Sequence, residues 1–135
     1  MIQDFTELKA WQEAHKLTLA VYKTTRDFPR QERYGVVSQL QRAASSVPAN
    51  IAEGFARNPT NELLRSLSIA RGSLAETRYF LLLSRDLGYL NGSALQQMQR
   101  QCESVAQLIS GLAQSLRQRA LDKAQGTKHK ARLST

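Results

Sequence analysis

The sequence predicts an all-α fold, an antiparallel up-down-up-down four-helix bundle with a proline-kinked second helix. Four long segments carry apolar residues at the three- and four-residue spacing of an amphipathic helix. The segments between them are only a few residues long, and short connections place consecutive long helices side by side and antiparallel. The 135 residues include seven Gly and three Pro, fewer turn-forming residues than a sandwich or barrel needs. One bundle domain, residues 1–120, is therefore expected.

The first predicted helix covers residues 5–27. Asp4 followed by Glu7 is the pattern of a capping box at its start. Phe28 before Pro29 ends it, because a residue that precedes proline avoids helical backbone angles. One stripe of this helix is expected to face the core. It consists of Leu8, Trp11, His15, Thr18 and Tyr22, with Leu17, Val21 and Thr24 beside it.

The second predicted helix, residues 34–56, contains Pro48 near its middle. Proline has no N–H to donate and crowds the carbonyl of Ala44, which costs about 3 kcal/mol in a plain helix interior. The helix either ends at Val47 and restarts at Pro48, or continues with a kink. Val47 is a poor cap residue, and this favours the kink. The core face is made of Val36, Leu40, Ala43, Ala44, Val47, Ile51 and Gly54.

A polar stripe follows the side of this helix that lies opposite Pro48. Its members are Gln39, Arg42, Ser46, Asn50, Glu53 and Arg57, and the candidates for a polar network are Arg42, Asn50, Glu53 and Arg57. Glu53 and Arg57 are four residues apart with the acid first, the favourable order for an ion pair on a helix. A site for phosphate would not include Glu53 between the two arginines. We therefore predict a structural hydrogen-bond network, at a contact with another helix or subunit.

The third predicted helix begins at Asn58 and Pro59, a cap residue and a proline in the first turn, and ends near Leu87 before Gly88. It is apolar on two sides. Leu63, Leu67, Ala70, Leu74 and Leu81 form one stripe, and Ile69, Phe80, Leu83 and Leu87 form another about 120° away. Only one side can face the core of a four-helix bundle, so the second stripe predicts an oligomer interface. Alternatively, the two stripes merge into one wide core face.

Arg71, Arg78 and Arg85 repeat every seven residues along the third helix. Sevenfold spacing drifts by only about 20° per step, so the three share a stripe about 10.5 Å apart along the axis. They are candidates for contact with successive phosphates of a nucleic acid. The alternative is that they form salt bridges at the edge of the bundle or between subunits.

The fourth predicted helix begins near Asn91 or Ser93 and ends near Arg119. Its apolar stripe is made of Leu95, Met98, Cys102, Val105, Ile109, Leu112 and Leu116. Residues 121–135 lack periodicity and are predicted to be a disordered tail. Residues 117–135 hold six cations and one acid, +6 − 1 = +5 of the chain's net charge of +8. The tail cations that are candidates for binding RNA or DNA are Lys123, Lys128, Lys130 and Arg132.

Nothing in the sequence indicates catalysis, a cofactor or a metal site. The two histidines lie far apart, and Cys102 falls on the apolar stripe of the fourth helix. Glu-x-x-His pairs, phosphate loops and metal-spaced cysteines do not occur in the sequence. A single cysteine, no signal-peptide pattern and no apolar run of about 18 residues indicate a soluble cytoplasmic protein.

The stretch "QRAASSVPANIAEGFAR", together with the other helix patterns over residues 5–116, resembles the four-helix-bundle proteins encoded within intervening sequences of 23S rRNA genes. That family includes the accessory protein of diversity-generating retroelements. The resemblance implies a kinked-helix bundle that assembles into a ring-like homopentamer. It also implies nucleic-acid binding and, in retroelement members, contact with a reverse transcriptase. It supplies no catalytic residues and does not extend to the basic tail.

Two functions are consistent with the sequence. The first is a non-enzymatic homo-oligomer that binds nucleic acid, RNA first, through its basic surface and tail. The second is an oligomeric protein-interaction scaffold with no direct role in nucleic-acid binding. Aromatic residues that could stack on bases are few, so contact with the nucleic-acid backbone is favoured over base reading.

Overall fold

The computed structural model describes the backbone of residues 1–134 and the side chains of residues 1–126. The four long helices are α1 (Lys9–Thr25), α2 (Val36–Arg57), α3 (Thr60–Asp86) and α4 (Gly92–Ser134). Two short 3-10 turns, Phe5–Glu7 and Arg30–Glu32, precede α1 and α2. The part of the chain that is described contains no strand, which confirms the all-α, four-helix prediction.

Each helix contacts its neighbours in the cyclic order α1, α2, α3, α4, so that α1 and α3 occupy opposite corners. Between α1 and α2, Thr18 Oγ1 donates to the Ala44 carbonyl and Gln41 Nε2 donates to Thr25 Oγ1. The α2 residue number falls as the α1 number rises, which is the register of antiparallel neighbours. The full up-down-up-down topology stays a prediction.

The core lies between all four helices and is built from the predicted stripes of α2, α3 and α4. Its largest fully buried apolar side chains are Leu17, Val21, Leu40, Val47, Ile51, Leu67, Leu81, Val105 and Ile109. On α1 the predicted core stripe is only partly correct. Trp11 is half-buried and Tyr22 is 44% exposed, whereas Ala10 and Ala14 are buried. Helix α1 is therefore rotated about its axis relative to the prediction. Ala10 and Ala14 face the other helices, and their small side chains allow close packing.

Helix α2 continues through Pro48 without interruption, as predicted, whereas the kink stays a prediction. Because Pro48 has no N–H, the carbonyl of Ala44 lacks its donor within the helix. Thr18 of α1 supplies a replacement, since its Oγ1 lies 3.0 Å from that oxygen. The same hydroxyl lies 3.0 Å from the Ala14 carbonyl. That carbonyl already accepts the Thr18 N–H within α1, so the single hydroxyl proton satisfies an otherwise unpaired group only at Ala44. A side chain of α1 thus replaces the backbone hydrogen bond that α2 loses at Pro48.

The starts of α1 and α3 differ from the predictions. The capping box of Asp4 and Glu7 forms, but it caps the 3-10 turn, and extended Leu8 separates that turn from α1. Asn58 does not cap the start of α3. With φ of 70° it closes α2 in the left-handed conformation, where asparagine is tolerated best after glycine.

Two other predicted helix ends are confirmed. Gly88 has φ of 85° after the last turn of α3. The side chain of Asn91 accepts a hydrogen bond from the Ala94 N–H at 2.8 Å and caps α4.

Helix α4 continues to Ser134, past the end predicted near Arg119. The residues beyond Arg119 include Ala, Leu, Lys and Gln, which favour a helix even without an apolar stripe. The separation of a basic tail at residues 121–135 from the bundle stays a prediction. Three of its predicted contact residues, Lys128, Lys130 and Arg132, lie outside the residues whose side chains are described.

Candidate nucleic-acid interface

The three arginines of α3, Arg71, Arg78 and Arg85, are all exposed. Arg78 faces α4, because its Nε donates to Gln99 Oε1 at 3.2 Å and its carbonyl accepts from Gln99 Nε2 at 3.5 Å. The seven-residue spacing puts Arg71 and Arg85 on the same stripe, about 10.5 Å to either side along the axis. The three arginines therefore follow the junction of α3 and α4.

Helix α4 contributes further polar side chains to this junction. A cleft of about 420 Å³ opens here, lined by Arg78, Gln96, Gln99, Arg100, Cys102, Glu103 and Ala106. The cap at Asn91 fixes where α4 starts, and the burial of Leu95, Met98 and Cys102 fixes which side of α4 faces the core. We refer to Arg71, Arg78, Arg85, Gln96, Gln99 and Arg100 together as the α3–α4 groove.

The α3–α4 groove carries a net positive charge. Arg85 pairs with Asp86 through Nε and Oδ1 at 2.9 Å, so the predicted alternative of a salt bridge applies to this arginine. Arg78 bonds a neutral amide instead. Within residues 1–126, neither Arg71 nor Arg100 forms an ion pair, and Glu103 is the one acid in the cleft. The groove thus presents guanidinium groups and amides that can donate to anionic oxygen.

Residues Gln96, Gln99 and Arg100 did not emerge from the sequence as site residues. Gln96 and Gln99 each follow a core residue of α4, Leu95 and Met98, by one position, which places them about 100° from the core stripe. That offset from the core stripe could have identified Gln96 and Gln99 in the sequence as residues at a junction between helices. It does not by itself say whether α1 or α3 lies on that side.

The four predicted members of the polar network on α2 do not form one network. Arg42 donates to Gln39 Oε1 at 2.9 Å, and Arg57 pairs with Glu53 at 3.1 Å, each on its own turn of α2. Asn50 is the member that connects to α3. Its Nδ2 lies 2.8 Å from the Ser46 carbonyl and 3.0 Å from Ser46 Oγ, which in turn bonds Ser73 Oγ at 2.8 Å.

Charges are balanced on the other side of α3, where it meets α2. Two small clefts of about 130 Å³ and about 210 Å³ lie there. Their charged lining residues, which with the clefts form the α2–α3 groove, are Arg42, Arg57, Arg65, Glu53, Glu62 and Glu76. Three cations against three acids offer a polyanion no net attraction.

The side chains of the predicted oligomer stripe of α3 are only partly buried within the bundle. Phe80 and Leu83 are half-buried, and Phe80 packs against the core. Ile69 and Leu87 remain 46% and 47% exposed. The bundle core therefore takes up Phe80, and both the subunit contact and the merged core face stay predictions.

The described residues contain few groups suited to catalysis. Burial raises the pKa of the Cys102 thiol to about 11, although nearby Arg78 opposes the shift, so the thiol stays protonated at neutral pH. His15 is exposed and stacks on Trp11 with the ring centres 5.0 Å apart. No three or more His, Cys, Asp or Glu residues among those described lie together as metal ligands would. Nor does any described helix combine the length and hydropathy that crossing a membrane requires.

The family model of the 23S rRNA-intervening sequence protein matches residues 6–111. The chain belongs to this family. A crystal structure of a protein with unknown function from the S23 ribosomal protein family of Bacteroides thetaiotaomicron VPI-5482 superposes with a TM-score of 0.71. The two are 17% identical over 78% of this chain and 95% of that one, a likeness that shows a shared fold. No curated protein matches the chain.

The family match extends over α1, α2, α3 and the part of α4 that lines the α3–α4 groove. It ends before the exposed cations of the following turns, Arg117, Arg119 and Lys123. The residues of the α3–α4 groove therefore lie within the region that matches the family model, and the basic end of α4 lies outside it.

Proposed function

We propose that this protein is a non-enzymatic, homo-oligomeric bundle that binds RNA through the α3–α4 groove and the basic end of α4. One observation carries the proposal. Arg71, Arg78 and Arg100 are exposed along one groove and, within residues 1–126, pair with no acid. The family description, which refers to 23S rRNA, supports RNA as the nucleic acid.

The proposed contact is with the RNA backbone. Guanidinium groups bond phosphate oxygens in a bidentate manner, and the glutamine amides can donate to phosphate or sugar oxygens. The groove itself contains no aromatic side chain on which a base could stack. Binding is therefore expected to depend strongly on salt and weakly on sequence. The single cysteine, buried in the core, supports a reducing compartment, and the cytoplasm is part of the proposal.

Two triple variants with the same loss of charge test the groove. R71Q/R78Q/R100Q removes cations from the α3–α4 groove, whereas R42Q/R57Q/R65Q removes the same number from the α2–α3 groove. We expect the first to weaken binding of a structured RNA and to reduce the slope of log affinity against log salt by roughly 2 to 3. The second should bind nearly as the unmodified protein does. Fluorescence anisotropy across a salt series measures both.

Equal weakening by the two variants would mean that net charge alone attracts RNA and would overturn the assignment to the α3–α4 groove. If the unmodified protein binds no RNA at low salt, the alternative function is favoured. That alternative is an oligomeric scaffold whose partners are proteins, such as a reverse transcriptase for a member linked to a retroelement.

A further inference from the structure

The exposed side of α4 next to the α3–α4 groove is neutral and rich in hydrogen-bonding groups. Gln96, Gln107 and Gln114 are exposed there and lie eleven and seven residues apart, close to three and two full helical turns. The three side chains therefore point in one direction to within about 20°, and we call them the α4 glutamine face. Within residues 1–126, none of the three amides forms a side-chain hydrogen bond. All three can bind another molecule.

A second cleft continues the α3–α4 groove along this face. It has a volume of about 450 Å³ and is lined by Glu103, Ala106, Gln107, Ser110, Gly111 and Gln114. Glu103 and Ala106 also line the cleft beside Arg78, so the two clefts adjoin. From Gln96 to Gln114 they follow α4 for 18 residues, which is about 27 Å. The surface is therefore long enough for an extended ligand.

Arginines accompany the α4 glutamine face over this length. Arg78 meets Gln99 through the two hydrogen bonds between α3 and α4. Arg71 lies about 10.5 Å farther along α3, away from the α3–α4 connection. Arg117 follows Gln99 by 18 residues, or five full turns, so it is on the same side of α4 about 27 Å farther on. A row of exposed cations thus runs beside a row of amides.

This pairing of rows matches the chemistry of the RNA backbone. Phosphate oxygens are anionic and are bound by guanidinium groups. The ribose 2′-hydroxyl both donates and accepts hydrogen bonds, as a glutamine amide does. In duplex RNA these hydroxyls are displayed in the wide, shallow minor groove, where proteins contact them together with the phosphates. DNA has no 2′-hydroxyl, so the amides can distinguish RNA from DNA.

The same surface is poorly suited to single-stranded RNA. Proteins that bind single strands stack the bases on aromatic side chains. Among the described side chains, none of those that line the two clefts is aromatic, and the α4 sequence contains no Phe, Tyr or Trp. A flexible strand also loses conformational freedom when it is bound along two fixed helices, whereas a stiff duplex loses little.

We infer that the ligand of this surface is double-stranded RNA, with the arginines bound to phosphates and the α4 glutamine face bound to 2′-hydroxyl groups. The inference rests on the proposed function and adds the class of RNA and the group by which it is distinguished from DNA. Hydrogen bonds to a hydroxyl release no counterions, so the glutamines add affinity without changing the salt dependence of binding.

Three nucleic acids of one sequence test the class of ligand. They are an RNA duplex of about 20 base pairs, longer than the roughly 16 that a double-stranded RNA-binding domain spans, the matching DNA duplex, and one unpaired RNA strand. We expect the full-length protein to bind the RNA duplex at least about tenfold more tightly than either of the others. The salt slopes for the two duplexes should be similar, because both present phosphates to the same arginines. Fluorescence anisotropy measures each affinity.

Two matched pairs of substitutions on α4 locate the contact. Q107A/Q114A shortens the α4 glutamine face outside the α3–α4 groove, whereas Q97A/Q101A removes the same groups from the side that faces α1. Alanine keeps the charge and favours the helix. We expect Q107A/Q114A to weaken binding of the RNA duplex by about five- to tenfold, with less than about a twofold effect on the DNA duplex. Q97A/Q101A should leave both affinities unchanged. Circular dichroism checks that both variants fold.

Several results would overturn the inference. Equal affinity for the RNA and DNA duplexes would exclude recognition of the 2′-hydroxyl, and tighter binding of the single strand would exclude the duplex. A preference for RNA that survives Q107A/Q114A, or equal weakening of both duplexes by it, would show that these glutamines do not read the hydroxyl. Each of these results leaves RNA binding by the groove intact. Absence of binding to every RNA at low salt would instead remove the proposed function itself.

Discussion

Gly54 determines how closely α2 and α3 approach each other. A Cβ atom at this position would lie 2.5 Å from Ser66 Cβ and 3.1 Å from Leu63 Cδ1. Ser66 Cβ is bonded directly to the backbone, so it cannot move away unless the backbone of α3 moves with it. Close approach in turn allows Ser46 and Ser73 to bond directly between the two helices.

Replacing Gly54 by alanine should therefore destabilise the protein. In an ordinary helix interior the change from glycine to alanine stabilises by about 1 kcal/mol. Here the steric conflict with Ser66 should reverse the sign and lower the free energy of unfolding by about 1–3 kcal/mol. Urea unfolding measures the change. The control is G111A on α4, where nothing lies within 4 Å and where stabilisation by about 0.5–1 kcal/mol is expected. Equal stabilisation by both variants would contradict the close packing.

Among the elements, α2 depends on α1 for its continuity. Pro48 removes the N–H that the Ala44 carbonyl would accept, and the buried hydroxyl of Thr18 takes its place. A buried carbonyl left without a donor would cost about 1–3 kcal/mol. The contact therefore explains how a long helix accommodates a proline in its interior.

A double-mutant cycle tests whether Thr18 and Pro48 act together. T18V removes the hydroxyl at nearly constant shape and should lower the free energy of unfolding by about 1–3 kcal/mol. In a P48A background the new N–H can bond the Ala44 carbonyl, so T18V should cost at least about 1 kcal/mol less there. Chemical unfolding of the four proteins gives the coupling energy, and the intrinsic effect of P48A cancels from it. The same cost of T18V in both backgrounds would show that Thr18 does not compensate for the proline.

For the whole molecule, the fold could be predicted because the apolar periodicity of α2, α3 and α4 depends only on residue spacing. The site could be predicted in part. The arginines of α3 are regularly spaced, but their neighbours Gln99 and Arg100 come from another helix, and contacts between helices are not encoded in the spacing of either one. The hydrogen bond from Thr18 to the Ala44 carbonyl could not be predicted for the same reason, because it joins two helices. On α1, the predicted stripe included Tyr22, which is exposed, and left out Ala14, which is buried, because the rotation of a helix depends on how it packs against its neighbours.

The basic end of the chain should contribute to RNA binding and not to folding. No core residue lies beyond Ala113 within residues 1–126, and residues 117–126 are all exposed. Deleting residues 122–135 removes four cations and one acid, so it should leave the free energy of unfolding unchanged within about 0.5 kcal/mol. Affinity for RNA should fall, and the salt slope should decrease by about 0.7–0.9 for each phosphate that the shortened chain no longer neutralises.

A full-length variant, K123Q/K128Q/K130Q/R132Q, separates charge from chain length in this deletion. If the cations act by attracting phosphate, this variant should reproduce the loss of affinity and the smaller salt slope of the shortened chain, since both lack the same four positive charges. Anisotropy titrations with one RNA at several salt concentrations compare the two. Loss of affinity on deletion with full affinity in the glutamine variant would assign the role of this segment to its length or shape instead. A deletion that changes unfolding more than binding would place residues 122–135 in the bundle itself.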